Sequence, residues 1–212
     1  METREALRHI FWLGGASGSG KSTIAKLVAA QHGLALQHRD QWNEVHARRV
    51  DPQRQPNMAW VIERKQWLRT GEGSSDVSTK EVLHHLIRSQ HEDWAFTLED
   101  LRGEPIETPT LLEGARLIPD VVLPQIQDRR RAAWLVPSAE LLSEQVLTQS
   151  IERFGAAGTD VEAAVQRRLL QMVAQSEAIA RAAEDQGGTV LRFETEEERD
   201  QLPDNLAGAY GL

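Results

Sequence analysis

The residues with the clearest chemical meaning lie near the start of the chain, at Gly15-Ala16-Ser17-Gly18-Ser19-Gly20-Lys21-Ser22. Their spacing is G-x-x-x-x-G-K-S, preceded by an apolar run and followed by a helical pattern. Glycine reaches backbone angles closed to other residues, so such a segment can curl until consecutive amides point into one concavity. The helix that follows adds unpaired N–H groups and positive dipole character at its start. A polyphosphate satisfies these donors. Lys21 supplies a point charge for β- and γ-phosphate oxygens, and Ser22 supplies a hydroxyl for Mg2+, which takes oxygen ligands. Thr23 continues into the helix and is expected to face the sheet or the nucleoside. The segment 15–23 is therefore expected to hold ATP with Mg2+.

A loop of this kind needs a strand to enter it and a helix to leave it. His9 to Leu13 reads as a first strand, buried on both faces. Lys21 to His32 reads as a helix, with Ile24, Leu27, Val28 and Gln31 at helical spacing and Gly33 as its stop. Leu34 to Gln37 is a second strand ending near Asp40. Thr110 to Leu112 is a third, followed at once by Glu113-Gly114. Ligands of parallel sheets sit beyond the carboxyl ends of the strands, so Glu113 is expected in the site, where its carboxylate would hold a water of Mg2+. Ala132 to Val136 and Thr189 to Phe193 complete five strands. Strands alternating with helices predict an α/β fold, a parallel sheet with helices on both faces.

Between the second and third strands, residues 41–108 read as a mainly helical insertion. A polar loop from Arg48 to Pro56 precedes a helix over Met58 to Arg69, and the turn from Gly71 to Ser75 ends it. Ser78-Thr79-Lys80-Glu81 has capping-box spacing and opens an amphipathic helix reaching Gly103. Four of the six tryptophans, Trp42, Trp60, Trp67 and Trp94, fall in this insertion, as core or as ring contacts for a bound molecule. His84 and His85 are adjacent, so on a helix they diverge and form no metal pair. After the fourth strand, Ser138 caps a helix through Arg153, and Phe154 to Gly158 interrupts it. Thr159-Asp160-Val161-Glu162 opens the next long helix, which Gly187-Gly188 ends.

The whole-chain properties bound the alternatives. A chain of 212 residues suits one domain, taken as 1–212. The absence of cysteine excludes disulfides and thiolate chemistry. A net charge of −8 argues against broad binding to nucleic acid or to acidic membrane surfaces. Arg129-Arg130-Arg131 is the one compact basic run, either a solvated helix end or an anion site. No run approaches the roughly 20 apolar residues of a membrane span, and the apolar run after Arg8 is too short for a signal-peptide core. A cytoplasmic protein is expected. Neither an Asn-Lys-x-Asp sequence nor an Asp-x-x-Gly switch is present, which counts against a GTPase.

With the loop at 15–22, an acidic residue after the second strand, Leu111-Leu112-Glu113-Gly114 at the third, and a helix–break–helix after the fourth, the chain resembles the P-loop kinases of small molecules. That group includes shikimate, gluconate, adenylate and cytidylate kinases and chloramphenicol phosphotransferase. The resemblance implies a P-loop fold, transfer of a phosphoryl group from ATP to a small-molecule acceptor, an acceptor-binding insertion at 41–108 and lid-bearing helices at 139–186. It implies that Asp40 orients the acceptor hydroxyl and takes its proton. It also implies a lid arginine, for which Arg153 is best placed and Arg167 or Arg168 are alternatives. Adenine contacts would lie near Phe193 to Glu196. Arg116 is a candidate for an anionic acceptor or for a surface ion pair. Glu113 departs from the more usual aspartate at its position. Two rivals stand beside this reading: a nucleoside or nucleotide monophosphate kinase, which wants arginines such as Arg48, Arg49 and Arg88 converging on the insertion, and a nucleotide-binding regulatory protein without catalysis. The oligomeric state is not legible in the sequence.

Overall fold

The structure, a computed structural model, describes residues 3–65, 77–103, 108–144 and 161–212. Five strands form one parallel sheet: β1 (Ile10–Gly15), β2 (Ala35–His38), β3 (Thr110–Glu113), β4 (Ala132–Pro137) and β5 (Thr189–Phe193), in the order β2-β3-β1-β4-β5. The helices that position the site are α1 (Lys21–His32), α2 (Asn43–Ala47), α3 (Pro56–Glu63), α4 (Thr79–Gly103), α5 (Val161–Asp185) and α6 (Glu196–Tyr210).

The alternation of β1 explains the layers. Ile10 and Trp12 point into one apolar cluster, with Leu112, Leu117, Trp134, Leu101, Ile179 and Ala183. Phe11 and Leu13 point into the other, with Ile24, Val28, Leu135, Leu202, Leu206 and Tyr210. Helices α4 and α5 cover the first face, and α1 and α6 cover the second. Every residue of β1, β3 and β4 is buried, as expected for central strands of a parallel sheet. The edge strands β2 and β5 are more open. Tyr210 closes the lower layer: its hydroxyl donates to the carbonyl of Trp12 at 2.8 Å, and its ring lies 5.1 Å from that of Phe11.

Several boundaries differ from the expected ones, for identifiable reasons. The first strand runs to Gly15 instead of ending at Leu13, because Gly14 and Gly15 pair with Trp134 and Leu135 of β4. A Cβ on Gly14 would lie 2.3 Å from the Leu117 carbonyl and from Trp134 Nε1, so only glycine admits this packing. The second strand includes His38, one residue beyond the expected end, because His38 pairs with Glu113. The helix expected over 58–69 begins at Pro56, whose missing N–H costs nothing at a first position, and runs to Glu63; residues 66–69 lie outside those described. The capping expected at Ser78 is present, its Oγ accepting from Glu81 N at 3.2 Å. Leu27 was expected on the buried face of α1 but is 47% exposed; Ala25 and Ala29 take that face with Ile24 and Val28.

The basic run is a single turn, Arg129–Arg131, whose members are occupied within the protein. Arg129 bonds the Gln186 carbonyl, Arg130 pairs with Asp128 at 2.9 Å, and the Arg131 guanidinium lies 4.5 Å from the Phe11 ring centroid. Among the described residues, no helix is long and apolar enough to cross a membrane.

Candidate active site

The loop from Gly15 to Gly20 turns through three glycines with positive φ: Gly15 at 137°, Gly18 at 81° and Gly20 at 80°. Gly15 is doubly constrained, since a Cβ there would meet the Leu135 carbonyl at 2.6 Å and Ser19 Oγ at 2.8 Å. Gly20 caps α1 in the left-handed conformation without any side-chain cap. The amides of the first turn therefore keep no side-chain partner and face the concavity with the helix dipole behind them. Lys21 is buried and folds back, its Nζ donating to the Ala16 carbonyl at 2.8 Å. Burial lowers its pKa, and the nearby charges of Asp40 and Glu113 act in the opposite direction. A cation held in this way is ready to exchange a carbonyl for a phosphate oxygen.

Opposite Lys21 stands Glu113, at the end of β3 and 3% exposed. Its Oε1 accepts from Ser22 Oγ at 2.9 Å and lies 2.6 Å from His38 Nδ1. Its Oε2 is buried and without a hydrogen-bond partner. A buried carboxylate oxygen left unpaired is costly, and a cation or a water bound to one satisfies it. The donor set of Ser22 hydroxyl and Glu113 carboxylate is all oxygen, which fits Mg2+. Among the described residues, no group of three or more His, Asp or Glu could form a metal centre by itself.

His38 went unrecognised in the sequence. The parallel register sets its Cα beside that of Glu113, and neighbours in such a ladder point to the same side of the sheet. Only the register, a long-range property, pairs them.

Asp40 is exposed and lies in the turn after β2. Its Oδ2 accepts from Ala115 N at 3.3 Å, and Gly114 leaves room for it: a Cβ there would lie 3.2 Å from Asp40 Oδ1 and 2.8 Å from Arg39 Cβ. Asp40 and Glu113 are thus close enough for their charges to act on Lys21. The residue before Asp40 fixes it. Arg39 is fully buried, bonded to Thr97 Oγ1 at 2.8 Å, Asn43 Oδ1 at 2.8 Å and the Asp93 carboxylate. His46 continues the network, with Nδ1 2.7 Å from Asp93 and Nε2 2.6 Å from Asp100. Burial pushes the Asp93 carboxyl up, but His46, Arg116 and Arg39 together outweigh it and hold it below the usual value. The network joins the turn bearing Asp40 to α4.

A cavity of about 360 Å³ opens beside the loop, lined by Gly20, Thr23, Ile24, Leu27, Arg199, Asp200 and Pro203. Thr23 is exposed on this side and does not face the sheet. The lining uses the first turns of α6, where adenine contacts had been expected at Phe193 to Glu196; Phe193 is instead core, and Thr195 caps α6 by accepting from Glu198 N at 3.1 Å.

Other expected residues have structural employment. Trp60 stacks on His85 at 4.2 Å, Trp94 packs 5.9 Å from Trp12, and Trp42 borders the core. His84 and His85 share no metal geometry; the His85 ring bonds Asn57 Oδ1 at 2.9 Å. Arg49 pairs with Glu99 and Asp100 and lies 4.3 Å from the Phe96 ring centroid. Arg153, Trp67 and the break at 154–158 lie outside the described residues. Arg167 and Arg168 lie on α5, partly exposed, and each has an interaction within the protein.

No protein-family model matches the chain. No curated protein matches it significantly. Among solved structures, shikimate kinase from Acinetobacter baumannii in complex with shikimate matches with a TM-score of 0.51 and 12% identity, over 98% of this chain and 97% of that one. An uncharacterized protein from Eubacterium ventriosum (TM-score 0.44, 15% identity, 95% and 97% of the chains) and a sugar kinase from Janibacter (TM-score 0.38, 18% identity, 95% and 90%) are more distant in shape. The first of these likenesses, with the sheet order, defines the fold: an α/β protein with a five-stranded parallel sheet and helices on both faces, similar in fold to that shikimate kinase.

Proposed function

We propose that the protein is an ATP-dependent phosphotransferase whose acceptor is a hydroxyl of a small molecule. The observation that carries this reading is the convergence of Lys21, Ser22, Glu113 and Asp40 at the carboxyl ends of β1, β3 and β2. Backbone amides of 15–22 and Lys21 hold the triphosphate, and the cavity beside Thr23, Leu27 and Pro203 takes the base. Ser22 would hold Mg2+ and the free oxygen of Glu113 a water of that ion, and the metal would supply charge that offsets the phosphate oxygens. Asp40 orients the acceptor hydroxyl and removes its proton as the new P–O bond forms. The segment 41–108 selects the acceptor, and an arginine of the 139–186 segment, Arg153 first, closes over the phosphoryl group.

A regulatory protein that only binds nucleotide needs the loop and no carboxylate at Asp40. The test is transfer from γ-labelled ATP with Mg2+ over pools of sugars, hydroxy acids, nucleosides, nucleotides and hydroxylated antibiotics, in the wild type, Lys21→Ala and Asp40→Asn. Asp40→Asn should lose about 10²- to 10⁴-fold in transfer while keeping ATP affinity, and Lys21→Ala should lose both. Full transfer by Asp40→Asn would end the proposed mechanism.

A further inference from the structure

His46 is fully buried, and each of its ring nitrogens meets a carboxylate. Nδ1 lies 2.7 Å from Asp93 Oδ1, and Nε2 lies 2.6 Å from Asp100 Oδ2. An ionised carboxylate accepts hydrogen bonds and donates none, and a neutral imidazole has a single N–H. Both contacts at once require a proton on each nitrogen. The surrounding charges agree. Asp93 is shared with Arg39, whose Nη2 lies 3.0 Å from His46 Nδ1 and donates to the other Asp93 oxygen. Asp100 is shared with Arg49 at 3.2 Å, and Arg49 also pairs with Glu99. Arg39, His46 and Arg49 thus face Asp93, Asp100 and Glu99, three cations against three carboxylates. Arg116 adds its field at Asp93 and Arg39, and Asp40 adds its own at Arg39. The rings of Trp42 and Phe96, 6.3 and 5.5 Å away, flank His46 without charge. A neutral His46 would leave one negative charge in excess around a buried ring, which is costly.

This network ends at Asp40. Arg39 directly precedes Asp40, and its guanidinium is tied to Asp93, Thr97 and Asn43. Its Cβ occupies the room that Gly114 leaves, beside Asp40 Oδ1. From that anchor Asp40 reaches the Ala115 N–H at 3.3 Å. One residue separates the anchor from the carboxylate, so a shift of Arg39 passes to Asp40. A misplacement of about 1 Å at a reacting group costs about 10²-fold in rate.

We infer that His46 is a positioning residue acting as a doubly protonated ring: it keeps Asp93 aimed at Arg39, and so holds Asp40 against the Ala115 amide. Phosphoryl transfer then depends on a proton stored in the insertion. Once that proton leaves, His46 has one N–H for two carboxylates, and the anchor of Asp40 loosens. The kinetic consequence rests on the phosphotransferase reading, and the placement of Asp40 does not.

The experiment is NMR of the full chain with 15N-labelled histidine and backbone, from neutral to alkaline pH, beside transfer assays. Both His46 nitrogens should carry protons at neutral pH, and the Ala115 amide should move as the ring proton leaves. His46→Gln, uncharged and one donor short, should bring the Ala115 amide toward its position in Asp40→Ala and speed its hydrogen exchange. Its kcat should fall on the order of 10- to 100-fold with the KM for ATP unchanged. His46→Lys, which restores a buried cation, should recover part of both effects. Should His46→Gln melt early, the wild-type titration carries the comparison. An Ala115 amide that follows His46, with no transfer by any form, keeps the positioning role and removes the kinase reading. A ring with only one protonated nitrogen at neutral pH, an Ala115 amide indifferent to His46, or wild-type kcat in His46→Gln overturns the inference.

Discussion

Ser22, on the first turn of α1, donates its hydroxyl to Glu113 at the end of β3 across 2.9 Å, although 91 positions separate them. The bond ties the phosphate loop to the neighbouring strand and leaves the other carboxylate oxygen buried and unpaired. On this geometry Glu113→Gln should raise the Mg2+ concentration needed for half-maximal nucleotide binding by about 10- to 100-fold, as loss of an outer-shell metal partner does. Titrating Mg2+ or Mn2+ at fixed nucleotide measures it. An unchanged metal requirement would separate Glu113 from the metal.

The loop itself should discriminate between its glycines. Gly15→Ala meets the Leu135 carbonyl at 2.6 Å and also forces alanine to a φ of 137°. It should cost about 1–3 kcal/mol of stability and abolish nucleotide binding. At Gly20 nothing lies within 4 Å, so Gly20→Ala bears only the left-handed backbone, about 1–2 kcal/mol. Thermal melts with a fluorescent-nucleotide titration distinguish the two, and equal effects would contradict the crowding at Gly15.

The buried pair below Asp40 predicts a larger loss. Asp93→Ala leaves Arg39 fully buried without its carboxylate, and breaking such a pair costs about 3–5 kcal/mol. Because Arg39 adjoins Asp40, any residual fold should also show reduced transfer at saturating ATP. Urea unfolding of Asp93→Ala and of Asp93→Asn gives the stability side. A loss below about 1 kcal/mol would show that the pair is not structurally important.

His9 predicts a pH dependence of stability. Burial lowers its pKa below the ordinary 6.5, the Ala6 backbone opposes this, and Arg131 and Arg8 add to it. The unfolded chain then binds more protons than the folded one just below pH 6.5. Stability is full above that value and falls as the pH drops through 6.5 toward the folded pKa. His9→Gln should flatten this part of the profile, as measured by thermal melts from pH 7.5 to about 5. A profile identical to the wild type would assign the acid lability elsewhere.

Much of this was present in local patterns. The G-x-x-x-x-G-K-S spacing, the apolar runs and the capping boxes are determined within a few residues, so Gly15 to Ser22, α1 and the long α4 were legible in the sequence by itself. Glu113 was legible too, because a strand end in a parallel sheet is a known ligand position. What the tertiary structure decided depends on partners far along the chain. The register sets His38 beside Glu113, burial commits Arg39 and His46 to Asp93, and ring packing draws Arg131 onto Phe11. Charge types alone do not say which arginine is spent on structure and which keeps an unpaired N–H. Arg39 and Arg116 look alike in the sequence, and only the tertiary structure, which gives Arg39 a hydrogen bond to Asp93 and leaves Arg116 Nη1 without one, distinguishes them.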